Sequence, residues 1–153
     1  MSGRIKQPKN VRIKAQNAAV DLVWKQTFGR EQSDMLSSVQ KFIDSECIRL
    51  MRPYTPARSE TLSESAVLDT KAGSGEIKYL IPYARYQYYG KLMVSGVTGS
   101  SYARHGESKT LTDRNLNYST FRHPKAQKMW FEAMKADHKE QILRGAAAIA
   151  RRK

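Results

Sequence analysis

Two stretches of helical periodicity leave this chain few options. In the first, Met35, Val39, Phe42 or Ile43, Cys47 and Leu50 recur at spacings of three and four. In the second, Trp130, Met134, His138, Ile142, Ala146 and Ile149 form an i, i+4 stripe. Each stripe needs an apolar surface to pack on. The spacing predicts helices over about 29–51 and 124–150. Pro53 ends the first, because its ring and missing N–H oppose continuation. Gly145 is a weak point in the second, and Ala146 to Ala148 restore propensity.

Between the helices the pattern changes. Residues 57–65 are polar and read as a turn or short helix. Ala66 to Thr70 and Glu76 to Ile81 read as two strands, joined by Lys71-Ala72-Gly73-Ser74-Gly75. Glycines there can take positive φ, which predicts a β-hairpin. Pro82 opens a short helical segment through Tyr89, and Gly90 stops it. Near the N-terminus, Val11-Arg12-Ile13-Lys14 alternates apolar and basic as a short strand does. The stretch from Ala19 to Phe28 fits either class. Residues 91–122 are rich in Ser, Gly, Thr and Arg, with few apolar anchors. They are expected to form an extended loop that a partner orders. The expected fold class is α+β: two long helices packed on a small, largely antiparallel sheet, with a long polar loop. The 153 residues suit a single domain.

Charge is asymmetric along the chain. The net charge is +13, but residues 1–14 hold five bases and no acid, and residues 144–153 hold four bases and no acid. The body between them is nearly balanced. The segment 1–9 is therefore expected to be a flexible basic arm. Arg4, Lys6 and Lys9 at one end, and Arg151, Arg152 and Lys153 at the other, are candidates to face DNA or an acidic partner surface. No secretory signal and no run long enough to span a membrane is seen, so no membrane contact is expected. The single cysteine, Cys47, falls on an apolar stripe and is expected to be a buried free thiol.

No catalytic constellation assembles. His105 and His123 lie in or beside the polar loop, and His138 lies on the stripe of the last helix. Zinc-type pairs such as C-x-x-C or H-x-x-x-H do not occur, nor does a G-x-S-x-G elbow or a phosphate-binding P-loop. Asp137 and His138 are adjacent, and helical geometry sends neighbours to different faces. Gly73-Ser74-Gly75 precedes a strand pattern rather than a helix, which argues for a turn and against a phosphate cradle. The expectation is a non-enzyme without cofactor or metal. The unusual cluster is aromatic: five of eight tyrosines sit at 79, 83, 86, 88 and 89. Tyrosine combines a large rigid apolar face with a polar tip, which suits interfaces. Consecutive Tyr88 and Tyr89 cannot both enter one core from a helix. Tyr83, Tyr86, Tyr88 and Tyr89 are the candidate subunit-interface residues.

Several strings in order carry a resemblance. Val39-Gln40-Lys41-Phe42-Ile43-Asp44-Ser45-Glu46 leads to Pro53-Tyr54-Thr55-Pro56. Then come Ser59-Glu60-Thr61-Leu62, Gly75-Glu76-Ile77, and Pro82-Tyr83-Ala84-Arg85-Tyr86-Gln87-Tyr88-Tyr89-Gly90-Lys91. His123-Pro124, Trp130-Phe131-Glu132 and Met134-Lys135-Ala136-Asp137-His138-Lys139 follow. Over about residues 38–148 this order resembles the minor capsid, or neck, proteins of long-tailed bacteriophages and prophages. Many members of that family carry D-T-G-x-L after the proline pair. Here Ala57-Arg58-Ser59-Glu60-Thr61-Leu62 keeps the leucine without the glycine.

The resemblance implies a virion protein, made in the host cytoplasm. It would form a homo-oligomeric ring in the neck that joins head to tail around the DNA channel. Its implied partners are further copies of itself, the adjacent portal or connector and tail proteins, and genomic DNA without sequence preference. It implies no catalytic residues. A tail-completion or tail-terminator subunit is the nearest alternative role. A stand-alone nucleic-acid-binding module is the alternative from another class. That would require a groove-reading helix or a basic stripe on a folded face.

Overall fold

A computed structural model describes residues 4–151. In chain order it contains strands β1 (Val11–Ala15) and β2 (Ala18–Leu22), and helix α1 (Phe28–Met51) with a 3-10 turn, Arg52–Tyr54. Helices α2 (Thr61–Asp69) and α3 (Ala84–Tyr89) follow, then strands β3 (Lys91–Ser95) and β4 (Lys109–Asn115), and helix α4 (Trp130–Ala150). The class is mixed α+β, as the periodicities predict. The strands form two separate antiparallel pairs, β1–β2 and β3–β4.

The core lies between the two long helices. Cys47, Leu50 and Met51 from α1 meet Trp130, Met134 and Ile142 from α4, with Tyr54, Leu62 and Ala84 closing the cluster. The first half of α1 is only half-buried, so its stripe reaches the core over the last turns. Gly145, unfavourable for helix propensity, has a packing reason. A Cβ there would lie 2.4 Å from the Phe42 ring of α1, so glycine permits the close approach of the two helices. Thr55 then ends the 3-10 turn, its N–H and its hydroxyl both donating to the Met51 carbonyl, at 3.0 and 3.1 Å.

Helix α4 begins at Trp130, not at 124. The residues before it are committed elsewhere. The Lys125 N–H donates to the Pro53 carbonyl at 3.2 Å and the Gln127 N–H to the Tyr54 carbonyl at 3.1 Å. Met129 takes a left-handed backbone (φ 52°), and its N–H donates to the Tyr88 carbonyl at 2.8 Å. That turns the chain sharply into the helix.

The expected hairpin over 66–81 does not form. Residues 66–69 belong to α2, whose Leu62 and Ala66 are buried one turn apart. A short apolar run has no decisive period of its own, and burial on the core chose the helix. Residues 76–80 form no ladder. They run beside the end of α2, held by the Asp69 carboxylate, which accepts the Leu80 N–H at 2.8 Å, and by Thr70 Oγ1, which accepts the Lys78 N–H at 3.0 Å. Residues 71–75 instead fold onto α1. Gly73 and Gly75 adopt positive φ, and both N–H groups donate to the buried Asp44 carboxylate, at 2.7 and 3.1 Å. The glycine loop does cradle an anion, and that anion is the chain's own aspartate.

The stretch 91–122 is also more ordered than its composition suggests. It contains the β3–β4 hairpin, whose 96–108 tip is fastened at Ser95. The Ser95 hydroxyl donates to Glu107 Oε2 at 3.0 Å and accepts the N–H groups of Val97 and Thr98. The stretch returns to the body through the Tyr118 hydroxyl, which donates to the Gln87 carbonyl at 2.5 Å. Backbone and local side-chain bonds supply the order that apolar anchors do not.

Candidate interaction surface

The β1–β2 hairpin is the largest departure from ordinary packing. Its register pairs Val11 with Leu22, Ile13 with Val20 and Ala15 with Ala18. Side chains alternate between faces along a strand, so these six form one wholly apolar face. The other face carries Arg12 opposite Asp21, 3.4 Å apart, and Lys14. Every residue of both strands is exposed; Ile13 and Val20 are 62% and 64% exposed. An isolated two-stranded hairpin is marginal in water, so this face needs cover.

The hairpin is not carried on a loose arm. The Ile5 N–H donates to Ser33 Oγ at 2.9 Å, and Gln7 Oε1 accepts the Gly29 N–H at 2.9 Å. Asn10 Oδ1 accepts the Trp24 N–H at 2.8 Å. Residues 5–10 thus lie fastened against the start of α1, where the sequence predicts a flexible arm over 1–9; residues 1–3 of that arm lie outside the described residues. Gly29 permits this, since a Cβ there would come within 2.9 Å of the backbone at Ile5 and Gln7. Arg4, Lys6 and Lys9 remain exposed along the fastened segment, and Arg151 is exposed just past α4. Arg152 and Lys153 lie outside the described residues.

The four candidate tyrosines do not form one patch. Tyr88 is half-buried and meets Trp130 edge to face at 4.8 Å between ring centres. Tyr89 stands exposed beside it, and Tyr83 is exposed as well, while Tyr86 is half-buried. Tyr88 and Tyr89 line an open, mainly apolar groove of about 550 Å³, with Ile43, Cys47 and Phe131 among its walls. Tyr83 and Tyr86 line another, with Leu92 and Met93 of β3. Burial, and next the negative Asp44 and Glu46, push the Cys47 thiol pKa up, which disfavours the nucleophilic thiolate.

A polar knot joins the ends of the long helices. The Tyr54 hydroxyl donates to Asp137 Oδ2, accepts from Lys125 Nζ at 2.9 Å, and lies 3.2 Å from His138 Nε2. Asp137 and His138 therefore converge on one atom. Neighbours on a helix diverge by about 100°, yet a hydroxyl entering between them is reached by both. His123 is buried, its Nδ1 2.6 Å from the Thr55 carbonyl. The Asp137 carboxyl is held below the ordinary aspartate range, first by the Tyr54 hydroxyl and then by Lys125. Its contribution to stability is complete above the ordinary pKa of 3.8 and is lost as pH falls through the lower folded value. Asp137→Asn is expected to shrink the fall in melting temperature between pH 5 and pH 3. An unchanged acid limb in that variant would show that the knot contributes nothing.

Among the described residues, no cluster of three or more His, Cys, Asp or Glu is placed to hold a metal ion. Among the same residues, no helix is long and apolar enough to cross a membrane. Comparison with family models, curated proteins and solved structures finds no match. Sequence reasoning identified β1 but missed that Ala18–Leu22 is its partner. The period-two run of Ala18, Val20 and Leu22 was the available signal. It also missed Leu68 and Leu80, which stand on the surface of α2 and its neighbouring segment at 82% and 73% exposure.

Proposed function

We propose that this chain is a structural subunit of the neck of a long-tailed phage virion. In this reading it forms a ring that joins the head's portal or connector to the tail around the DNA channel. The observation that carries the reading is the apolar face of the β1–β2 hairpin. Six residues present one continuous apolar surface on a fastened mount, and nothing among the described residues covers it. Such a face is a docking element, and it offers no chemistry to a substrate. The ordered strings over 38–148 add the neck proteins as the kind of assembly. The exposed bases Arg4, Lys6, Lys9 and Arg151 suit a surface near passing DNA, where phosphate contacts hold without reading sequence. A tail-completion subunit shares this location and these needs.

The test is made on particles. In a phage carrying this gene, its deletion should leave filled heads and complete tails unjoined, with infectivity down by orders of magnitude. A tagged copy that restores infectivity should be labelled at the head–tail junction in electron micrographs. Joined, infectious particles formed without the protein would overturn the reading.

A further inference from the structure

A second exposed apolar surface has the opposite electrostatic character. Leu68 of α2 and Leu80 flank a groove of about 360 Å³. Both side chains are mostly solvent-exposed, and the Asp69–Leu80 hydrogen bond fixes their spacing. Glu64 and Asp69 also line the groove. The groove's lining holds these two acids and no base, in a chain of net charge +13. The hairpin and the segment leading to it carry Arg4, Lys6, Lys9, Arg12 and Lys14 against Asp21 alone, and Asp21 is already paired with Arg12. One surface is therefore apolar and basic, the other apolar and acidic. Both stay exposed within one copy.

We propose that the β1–β2 hairpin of one copy docks, apolar face down, on the α2–Leu80 groove of the next copy. Opposite charge around the two apolar surfaces steers the encounter and disfavours hairpin against hairpin. Because the two surfaces differ, each copy offers one and uses the other. Such a heterologous contact propagates, closing as a ring where the rotation allows. This deepens the reading of the chain as a ring subunit and rests on it.

The experiment uses the full-length protein and measures mass in solution across concentration. One variant, Ile13→Asp with Val20→Asp, removes the hairpin face. Another, Leu68→Asp with Leu80→Asp, removes the groove. All four positions are more than half exposed, so the monomer should melt as the wild type does. Wild type is expected to assemble beyond dimer. Each variant alone should be monomeric, its association weakened by at least about 30-fold. Mixed together they should form a one-to-one heterodimer and stop there, since only one competent pair of surfaces remains.

Lys14→Glu supplies a gentler check that leaves both apolar surfaces intact. Because Lys14 stands on the face opposite the docked one, the change should slow association through lost steering charge, as raised salt should slow the wild type, while leaving assembly itself in place. The inference is overturned if wild type stays monomeric, if the groove variant still assembles alone, or if the two variants form no heterodimer. None of these outcomes bears on particles lacking the gene, so the neck reading stands or falls separately.

Discussion

Trp130→Ala should remove about 3–5 kcal/mol of folding stability, the range found when a buried large aromatic is truncated. Trp130 is 1% exposed, at the first position of α4. Tyr79 and Tyr88 meet its ring edge to face, with centres 5.6 and 4.8 Å away. Its indole N–H donates to the Tyr79 hydroxyl at 3.1 Å. Removing the ring opens a cavity where α1, α4 and the residues around α3 converge, and these cannot all collapse inward. A domain of this size is held by roughly 5–15 kcal/mol in total, so the variant should be marginal at 37 °C. Trp130→Phe keeps the edge-to-face packing and loses the hydrogen bond, and should cost less than half as much. Urea unfolding of the three proteins would measure both steps. A loss under 1 kcal/mol for Trp130→Ala would mean that α4 does not seat its first turn in the core.

Asp44→Ala should cost about 2–4 kcal/mol, for a different reason. Its carboxylate is buried and accepts from three donors: the Gly73 and Gly75 N–H groups and Gln40 Nε2, the last at 2.7 Å. Hydrogen bonds to a charged partner contribute about 1.5–3 kcal/mol each, and donors left without one pay their desolvation. Partial exposure of the loop lets water recover some of that, which keeps the total near that of one or two bonds. Asp44→Asn should fall between, because its amide turns one accepting position into a donor facing donors. The local signature is hydrogen exchange. The amides of Gly73 and Gly75 should exchange much faster in Asp44→Ala, while Met134 and Ile142 amides change only as global stability falls. Unchanged protection at both glycines would show that the loop holds itself. The same change should loosen residues 75–79, which form one wall of the groove beside Tyr88 and Tyr89.

These two residues show how differently the sequence exposes its contents. Trp130 announces itself, because it starts a stripe of period near 3.6 that only a buried helix face explains. Asp44 gives no such signal. It reads as one polar residue on the flank of an amphipathic helix, and its role depends on a glycine loop that arrives about 30 residues later. Asp137 and His138 are similar. Their own helix places them on diverging faces, and Tyr54, more than 80 residues away, brings them together.

The sequence alone determined the two long helices, because each stripe must be buried; that they bury against each other rather than on a sheet was decided by tertiary packing. It determined the break at Pro53 and the stop at Gly90, whose left-handed backbone (φ 70°) is glycine's own territory. It determined that Tyr88 and Tyr89 must part, and that Cys47 is buried. Tertiary structure decided the rest. Ala66 to Asp69 became helix because Leu62 and Ala66 could enter the core together from one face. Residues 91–115 became a hairpin because Ser95, Glu107 and backbone partners compensate for missing apolar anchors. The apolar face of β1–β2 appeared only when register set Ile13 beside Val20. Periodicity is local and survives in the sequence. Which surfaces meet is a property of three-dimensional packing, where residues far apart in the chain complete one another's hydrogen bonds and cover one another's apolar area.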